Sequence, residues 1–488
     1  MTLEELGLVA LGVYLVGLLG IAEVAHRRRR DKSPSDHFLA GRELATFVLF
    51  LTLYATAYSG NSLLGYPGKA YRSGFDFVMS TGFMLAIIVV FHALVPKLRP
   101  LAVAHNFVTP GDYVRIRYGD EPAGRALVIA VGALMTVALA NFLLAQLQAM
   151  GEVTSVVTGD AIPYEWGVVG LAALILFYET RGGMRAVAWT DAVQGILMLV
   201  GLAALLFWLL EDAGGLSGIT QAVAQTRPAA IAVPDATTAV YWFSSIALLG
   251  LGSVLYPQAI QRIYAARDAQ SLQRSFAWMS FMPFATTLVV TLIGVAAIAT
   301  LGEGVPQDEV MPRLLGEWAE EGTAATFGAV VVFLGALAAI MSTADSCLLS
   351  LGALAARDLL DRPTDDDQTT RVGKWLAGGI LLAMVPLALQ GDITLWRLIE
   401  LKMELLIQCV PAFLLGLHWA RLRAAPVLAG LLVGTMFSAG LTLAGITRVG
   451  GAHIGMVGLL LNTTVAVVGS LLQSARGGAK GEPGSIRL

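Results

Sequence analysis

Charged side chains are scarce in this chain: Asp, Glu, Lys and Arg make up 14% of its 488 residues, where a soluble domain carries about 25%. The charge that is present has no basic excess. Lys and Arg total 32 against 35 Asp and Glu, a net charge of -3, which excludes a nucleic-acid binder. Cysteine is nearly missing as well. Cys347 and Cys409, both in apolar runs, are too few for a disulfide framework or a four-cysteine zinc site. No glycine-rich loop ends in Gly-Lys-Ser/Thr, so ATP-driven pumping is not indicated. No nucleophile, base and orienting group converge in the sequence, which argues against an enzyme. What the chain has in abundance is apolar surface: 56% hydrophobic residues and 53 glycines, with a mean hydropathy of +0.71. These proportions specify a polytopic membrane protein.

A bilayer core needs about 20 apolar residues per helix. Runs of that kind give thirteen candidate spans, near 4–25, 46–66, 76–96, 124–149, 163–180, 186–210, 238–258, 276–301, 323–351, 374–390, 394–420, 424–444 and 452–474. The first lacks a basic start and is followed by Arg27 to Arg30, so it reads as a span and not as a cleaved signal peptide. With the N-terminus outside, most of the 32 lysines and arginines fall in cytoplasmic loops, Arg262 among them, and the C-terminus is cytoplasmic. Glu303, Asp308, Glu309, Glu317, Glu320 and Glu321 then form one acidic extracellular loop. The tail SARGGAKGEPGSIRL is glycine-rich and polar and is expected to be disordered. No stretch is long enough for an appended kinase or ATPase domain.

Polar groups at membrane depth are costly and are the default functional candidates. The second candidate span gathers Thr56, Ser59, Gly60, Asn61, Ser62, Gly65, Pro67 and Gly68. Glycine and proline there would release carbonyls from the helical ladder, which predicts a broken helix lining a cavity; a Gly/Ser packing surface is the plainer alternative. The seventh repeats the theme with Gly250, Gly252, Ser253 and Pro257, five spans later. Paired breaks of this kind point to an inverted-repeat transporter with its site at the midplane. The ninth carries Ser342, Thr343, Asp345 and Ser346 within about one turn. Hydroxyls facing freed carbonyls make an oxygen-only site suited to an alkali cation, against the alternative that they back-bond their own helix. Asp191, in the sixth span, is either an interfacial acid paired with Arg181 or Arg185 or a functional group. Asp345 is open in the same way. In the eleventh, Arg397 and Lys402 read as interfacial, and Glu404 is an even choice between interior and surface.

At these residues the chain resembles the sodium:solute symporter family, whose members include proline, pantothenate, sialic acid and sodium/glucose carriers. The matching segments run in order: FLAGREL (Phe38 to Leu44), Ala55 to Gly68, TPGDYVRIRYG (Thr109 to Gly119), GGMRAVAWTDAVQ (Gly182 to Gln194), YPQAIQRIYAARD (Tyr256 to Asp268), MSTADS (Met341 to Ser346) and PAFLLGLHW (Pro411 to Trp419). The resemblance implies an all-α, LeuT-like core of five plus five inverted helices with flanking helices, about thirteen in all. Its parts would be 1–45, a first helix and basic loop; 46–210, the first repeat; 211–237, an extracellular loop; 238–421, the second repeat; 422–474, two further helices; and 475–488, a cytoplasmic tail.

The resemblance also implies Na+ as coupling ion. It would be held by the carbonyls of Ala55, Tyr58 and Ala339 and the hydroxyls of Ser342 and Thr343. Asp191 matches the family's aspartate near that site, which in some members helps to hold a second sodium. Such members tend to carry a hydroxyl where this chain has Ala339, so one sodium per cycle is expected. The proline carriers' second-span aspartate is Ala57 here, and their seventh-span tryptophan is Leu249, which disfavours proline. Candidate solute contacts are Ser59, Asn61, Phe142, Gln146, Ser253 and Glu404. The expected activity is sodium-coupled uptake of a small organic solute by alternating access, in a bacterial inner membrane. The partners are then the solute and the lipid bilayer, with no nucleic acid; the oligomeric state is not legible. Two rival readings stand beside it. One is a proton-coupled carrier titrating Asp191 or Asp345, and the other is a membrane sensor module working with a separate kinase.

Overall fold

A computed structural model describes residues 2–27, 34–119, 121–362, 367–391 and 393–477. Arg28, Arg29, Arg30 and Lys32 of the basic loop, and the end of the tail, lie outside the described residues. So do the side chains of Arg181 and Arg476. Fifteen helices carry the architecture: α1 (Leu3–Arg27), α2 (Thr46–Ala57), α3 (Tyr66–Ser73), α4 (Met79–Ala104), α5 (Pro122–Val157), α6 (Tyr164–Asp212), α7 (Ala236–Ser253), α8 (Pro257–Ala265), α9 (Ala269–Met279), α10 (Val289–Thr300), α11 (Thr323–Leu354), α12 (Asp367–Ala388), α13 (Leu395–Leu406), α14 (Ala424–Leu443) and α15 (Ile454–Gly477). Short helical segments join them. The sheet among the described residues is a two-stranded ribbon pairing Arg448–Val449 with Ala452–His453.

Nine of the described helical stretches are long and apolar enough to cross a bilayer, or ten if the α7–α8 pair is one span. Helix occupies each of the thirteen stretches read from hydropathy, but 46–66, 163–180 and 394–420 do not qualify by themselves. In each case the helix is interrupted. α2 stops at Ala57 because Tyr58 turns extended (φ -108°, ψ 93°). α6 divides at Gly183, whose φ of 58° and ψ of -163° leave the helical region, and a Cβ there would stand 2.5 Å from the His37 ring. α13 passes into a 3-10 turn (Ile407–Cys409) and then a π turn (Pro411–Leu415).

The centre of the bundle is α11, buried without a gap from Gly335 to Leu354. Its alanines, glycines and serines let α5 and α6 approach closely, which is how helices associate in a medium as apolar as themselves. The outer faces present the opposite chemistry. Val13, Val89, Phe207, Phe243, Phe281 and Leu443 are each more than two-thirds exposed, a distribution that makes sense when lipid is the solvent.

Candidate functional site

The site is built on two helix interruptions that face each other across the bundle. In the first, α2 ends at Ala57 and the chain resumes as a π turn over Asn61–Gly65 before α3. Among the described residues no backbone N–H across this break donates to the carbonyls of Ala55 or Tyr58. Gly60 is needed at the centre, because an added Cβ would lie 2.5 Å from Ile340 Cγ1 of α11 and 3.0 Å from Gln146 Oε1. The Gly60 N–H, freed by the break, donates to Gln146 Oε1 at 3.0 Å, and Gln146 Nε2 donates to the Phe142 carbonyl at 3.3 Å. Gln146 therefore clamps the broken helix and does not line the cavity. In the second interruption, α7 and α8 meet at a 49° bend between Ser253 and Pro257.

Where α2, α6, α8 and α11 converge lies a buried polar cluster. Asp191 on α6 and Arg262 on α8 have fully buried side chains and pair at 3.0 Å through Arg262 Nη2 and Asp191 Oδ2. Ser342 Oγ donates to Asp191 Oδ1 at 2.5 Å, and Thr52 donates to Oδ2. The guanidinium places three more of its five hydrogens on Thr52 Oγ1 (2.9 Å), Ser346 Oγ (2.6 Å) and the Gln258 carbonyl (3.1 Å). Ser346 Oγ in turn donates to the Ser342 carbonyl at 2.7 Å. The desolvation cost of a buried ion pair is offset only when its spare donors and acceptors are satisfied in this way.

This arrangement decides one open reading and corrects one expectation. Asp191 is not an interfacial acid, and Arg185 pairs instead with Asp36 at 2.8 Å. Arg262 is no loop residue but the bundle's fully buried guanidinium at Asp191. Sequence reasoning passed over it, although Gln258 and Arg262, four apart after the Ser253–Pro257 break, share one helical face. Next to the cluster, Thr343 Oγ1 and both carboxylate oxygens of Asp345 are buried with no hydrogen-bond partner among the described residues. Ala339 is fully buried one turn earlier on the same helix.

A cavity with an empty volume of about 840 Å³ opens beside this cluster, between α2, the π turn, α4, α7, α8, α9 and α13. Ser59, Asn61, Phe142 and Ser253 line it; Glu404 does not. Glu404 sits instead in a polar knot with Arg397 Nη1 (3.1 Å) and Thr442 Oγ1 (2.8 Å). The lining also includes residues the sequence did not single out for solute: Tyr66, Tyr256, Gln258, Lys402 and Met403. Lys402 is 2% exposed and not interfacial. Behind Tyr66 on the cavity wall, the Trp396 ring packs against Tyr66, Phe77 and Phe83. There the Gly68 backbone also presses on Gln307, whose carbonyl oxygen a Cβ at Gly68 would approach to 1.8 Å. Asp308, next to Gln307, accepts from the Leu395 N–H at 3.0 Å, and burial pushes its carboxyl up to about 6.

Broken helices, a buried polar cluster and a cavity between them are the parts of a carrier, and comparison with known proteins names the kind. The profile of the "Sodium:solute symporter family" matches residues 37–434. The chain belongs to the sodium:solute symporter family. Among curated members it is 28% identical over 481 residues to the sodium/pantothenate symporter of Escherichia coli (strain K12), covering 95% of this chain and 96% of that one. It is 24% identical to the osmoregulated proline transporter OpuE of Bacillus subtilis (strain 168), with 95% and 94% covered. The fold is shared with a Na+-coupled sialic acid symporter solved in a substrate-bound outward-open state, at a TM-score of 0.77, 18% identity, and 96% and 98% coverage. This symporter is thus a multi-pass membrane transporter and not an enzyme, with sodium as its coupling ion.

Proposed function

We propose that this symporter couples inward Na+ movement to uptake of a small organic solute by alternating access. It would do so in a bacterial inner membrane, through thirteen spans arranged as two inverted five-helix repeats with flanking helices and an external N-terminus. Sodium would bridge the break after α2 and the facing turn of α11. Its ligands would be the carbonyls of Ala55, Tyr58 and Ala339 and the hydroxyls of Ser342 and Thr343. The observation that carries this reading is the Thr343 hydroxyl, buried and unpartnered on a turn that packs against the break at Gly60. A buried polar atom left without a partner calls for an explanation, and a hard cation supplies one. Asp191, neutralised by Arg262, lies one hydrogen bond from Ser342 and would ease the ion's departure toward the cytoplasm.

The packing around Trp396 and Gln307 is then the extracellular gate, shut in this conformation. One positive charge entering against an inside-negative potential of about 100 mV supplies about 2.3 kcal/mol, a driving force to which the sodium gradient adds. Ala57 and Leu249, where proline carriers have an aspartate and a tryptophan, both line the cavity, which speaks against proline. A proton-coupled reading retains one specific support: the Asp345 carboxyl is buried with both oxygens unpartnered.

Thermal unfolding of the purified protein in NaCl, KCl and choline chloride at equal ionic strength separates the two. A ligand bound by the folded state alone stabilises it by about 2.7 kcal/mol at roughly a hundred times its dissociation constant. A sodium-selective rise that is lost in Thr343→Ala is the expected result. Equal curves in all three salts, with a dependence on pH that Asp345→Asn removes, would replace sodium with the proton.

A further inference from the structure

The solute cavity is lined by a buried lysine to which the described residues bring no counter-charge. Lys402 lies on α13 inside the bundle, 2% exposed, and lines the cavity. Among the described residues it makes no ion pair and no hydrogen bond. Its Nζ stands 3.2 Å from the centroid of the Phe142 ring and 5.6 Å from that of Tyr256. The two rings are themselves stacked, with centroids 5.1 Å apart. Aromatic faces attract an ammonium, but they neither cancel its charge nor accept its three hydrogens as oxygens would. An isolated charge away from water is strongly disfavoured, and inside a membrane such a group marks a substrate path by default.

The rest of the lining narrows what would complete it. The Asn61 and Gln258 side-chain amides face the same cavity, and all four of their polar atoms are buried without partners. Met84, Ile88, Phe276, Met279, Leu249 and Met403 supply apolar walls, and among the described residues no carboxylate side chain lines the space.

We infer that the solute is an organic monocarboxylate with a largely apolar body and at least one further hydroxyl or amide group. Its carboxylate would pair with Lys402, and its other polar groups would bond to Asn61 and Gln258. This rests on the symport reading above and names the solute class for it. One carboxylate balances one ammonium; a dianion would leave an uncompensated charge among apolar walls, and a cation would meet Lys402 with like charge. Phe142 and Tyr256 would position the ammonium, so that Lys402 is preorganised before the solute arrives. Co-transport of one sodium with one monocarboxylate would move no net charge, so the membrane-potential contribution given above would hold for a neutral solute and the sodium gradient alone would drive this one.

The test uses the full chain in detergent at saturating sodium methanesulfonate, with matched probes of one length: hexanoate, 6-hydroxyhexanoate, hexanamide and hexylamine. Melting temperatures are read for wild type, Lys402→Met and Lys402→Arg. Both carboxylates are expected to raise the wild-type melting temperature, 6-hydroxyhexanoate more than hexanoate, while the amide and the amine do not. Lys402→Met should lose that response while keeping its own stabilisation by sodium, which shows that it is folded, and Lys402→Arg should retain part of it. The inference is overturned if the amide matches the carboxylates, if Lys402→Met still responds, or if no probe acts on a wild type that sodium does stabilise. It also falls if sodium chloride alone gives the same rise, since the occupant would then be an inorganic anion. Loss of the sodium effect with the carboxylate effect intact would instead remove the coupling and leave the anion site standing.

Discussion

Arg262 and Lys402 are both cations buried in the same bundle, and the protein treats them in opposite ways. Arg262 is surrounded: a carboxylate, two hydroxyls and a carbonyl take its hydrogens. Lys402 meets two aromatic rings and lines the cavity. The first is a finished structural joint across α2, α6, α8 and α11, beside the proposed ion site. The second is unfinished, and its missing partner is what the cavity is shaped to receive. Charge at membrane depth therefore has two meanings here, set by the partner each cation has and not by the residue type.

Removing each charge should separate these meanings most sharply. Arg262→Met leaves Asp191 buried and uncompensated, a defect that costs about 3–5 kcal/mol, and the melting temperature in the absence of ligand should fall accordingly. Arg262→Met with Asp191→Asn should recover much of that loss. Lys402→Met should leave ligand-free stability unchanged or higher, because no partner is orphaned. Comparable losses in the two single variants would erase the distinction.

A smaller effect is expected at the joint between break and α11. Gly60→Ala puts a Cβ 2.5 Å from Ile340 Cγ1, and overpacking of that kind costs about 1–3 kcal/mol. Sodium stabilisation should weaken with it, and adding Ile340→Ala, which removes the clashing Cγ1, should restore part of the sodium response. If Gly60→Ala binds sodium as well as wild type, contact between the break and α11 is not what shapes the ion site.

The smallest effect belongs to the proposed extracellular gate. Burial holds the Asp308 carboxyl at about 6, above the ordinary value near 3.9, so the folded state binds its proton more tightly than the unfolded chain does. The resulting stabilisation is fully present below about 4 and is lost as pH rises through about 6. A melting temperature that declines across that window, and declines less in Asp308→Asn, is the expected pattern. An unchanged slope in the variant would place the titration elsewhere.

Much of this arrangement is legible in the sequence, and what escapes has a common cause. Hydropathy locates the helices, and the clusters from Gly60 to Gly68 and from Gly250 to Pro257 mark both interruptions, because glycine and proline act on the backbone locally. Ser342 and Thr343 stand out for the same reason, as hydroxyls within one turn. Arg262 and Lys402 do not. Their roles depend on partners brought from distant segments: Asp191 to Arg262 across 71 positions, and Phe142 and Tyr256 to Lys402 by packing alone. Gln146 and Glu404 lie outside the cavity lining for similar reasons. Each is a polar residue in an apolar run, and only tertiary structure shows that Gly60 and Arg397 already use them.

The central claim is a sodium site formed between the broken helix and α11, apart from the solute's cation. Equilibrium binding of radioactive 22Na+ to purified wild type, Thr343→Ala and Lys402→Met tests it most directly. The account predicts saturable binding that excess potassium does not displace, abolished or strongly weakened in Thr343→Ala and retained in Lys402→Met. Sodium binding that persists in Thr343→Ala, or is absent from wild type, would contradict it.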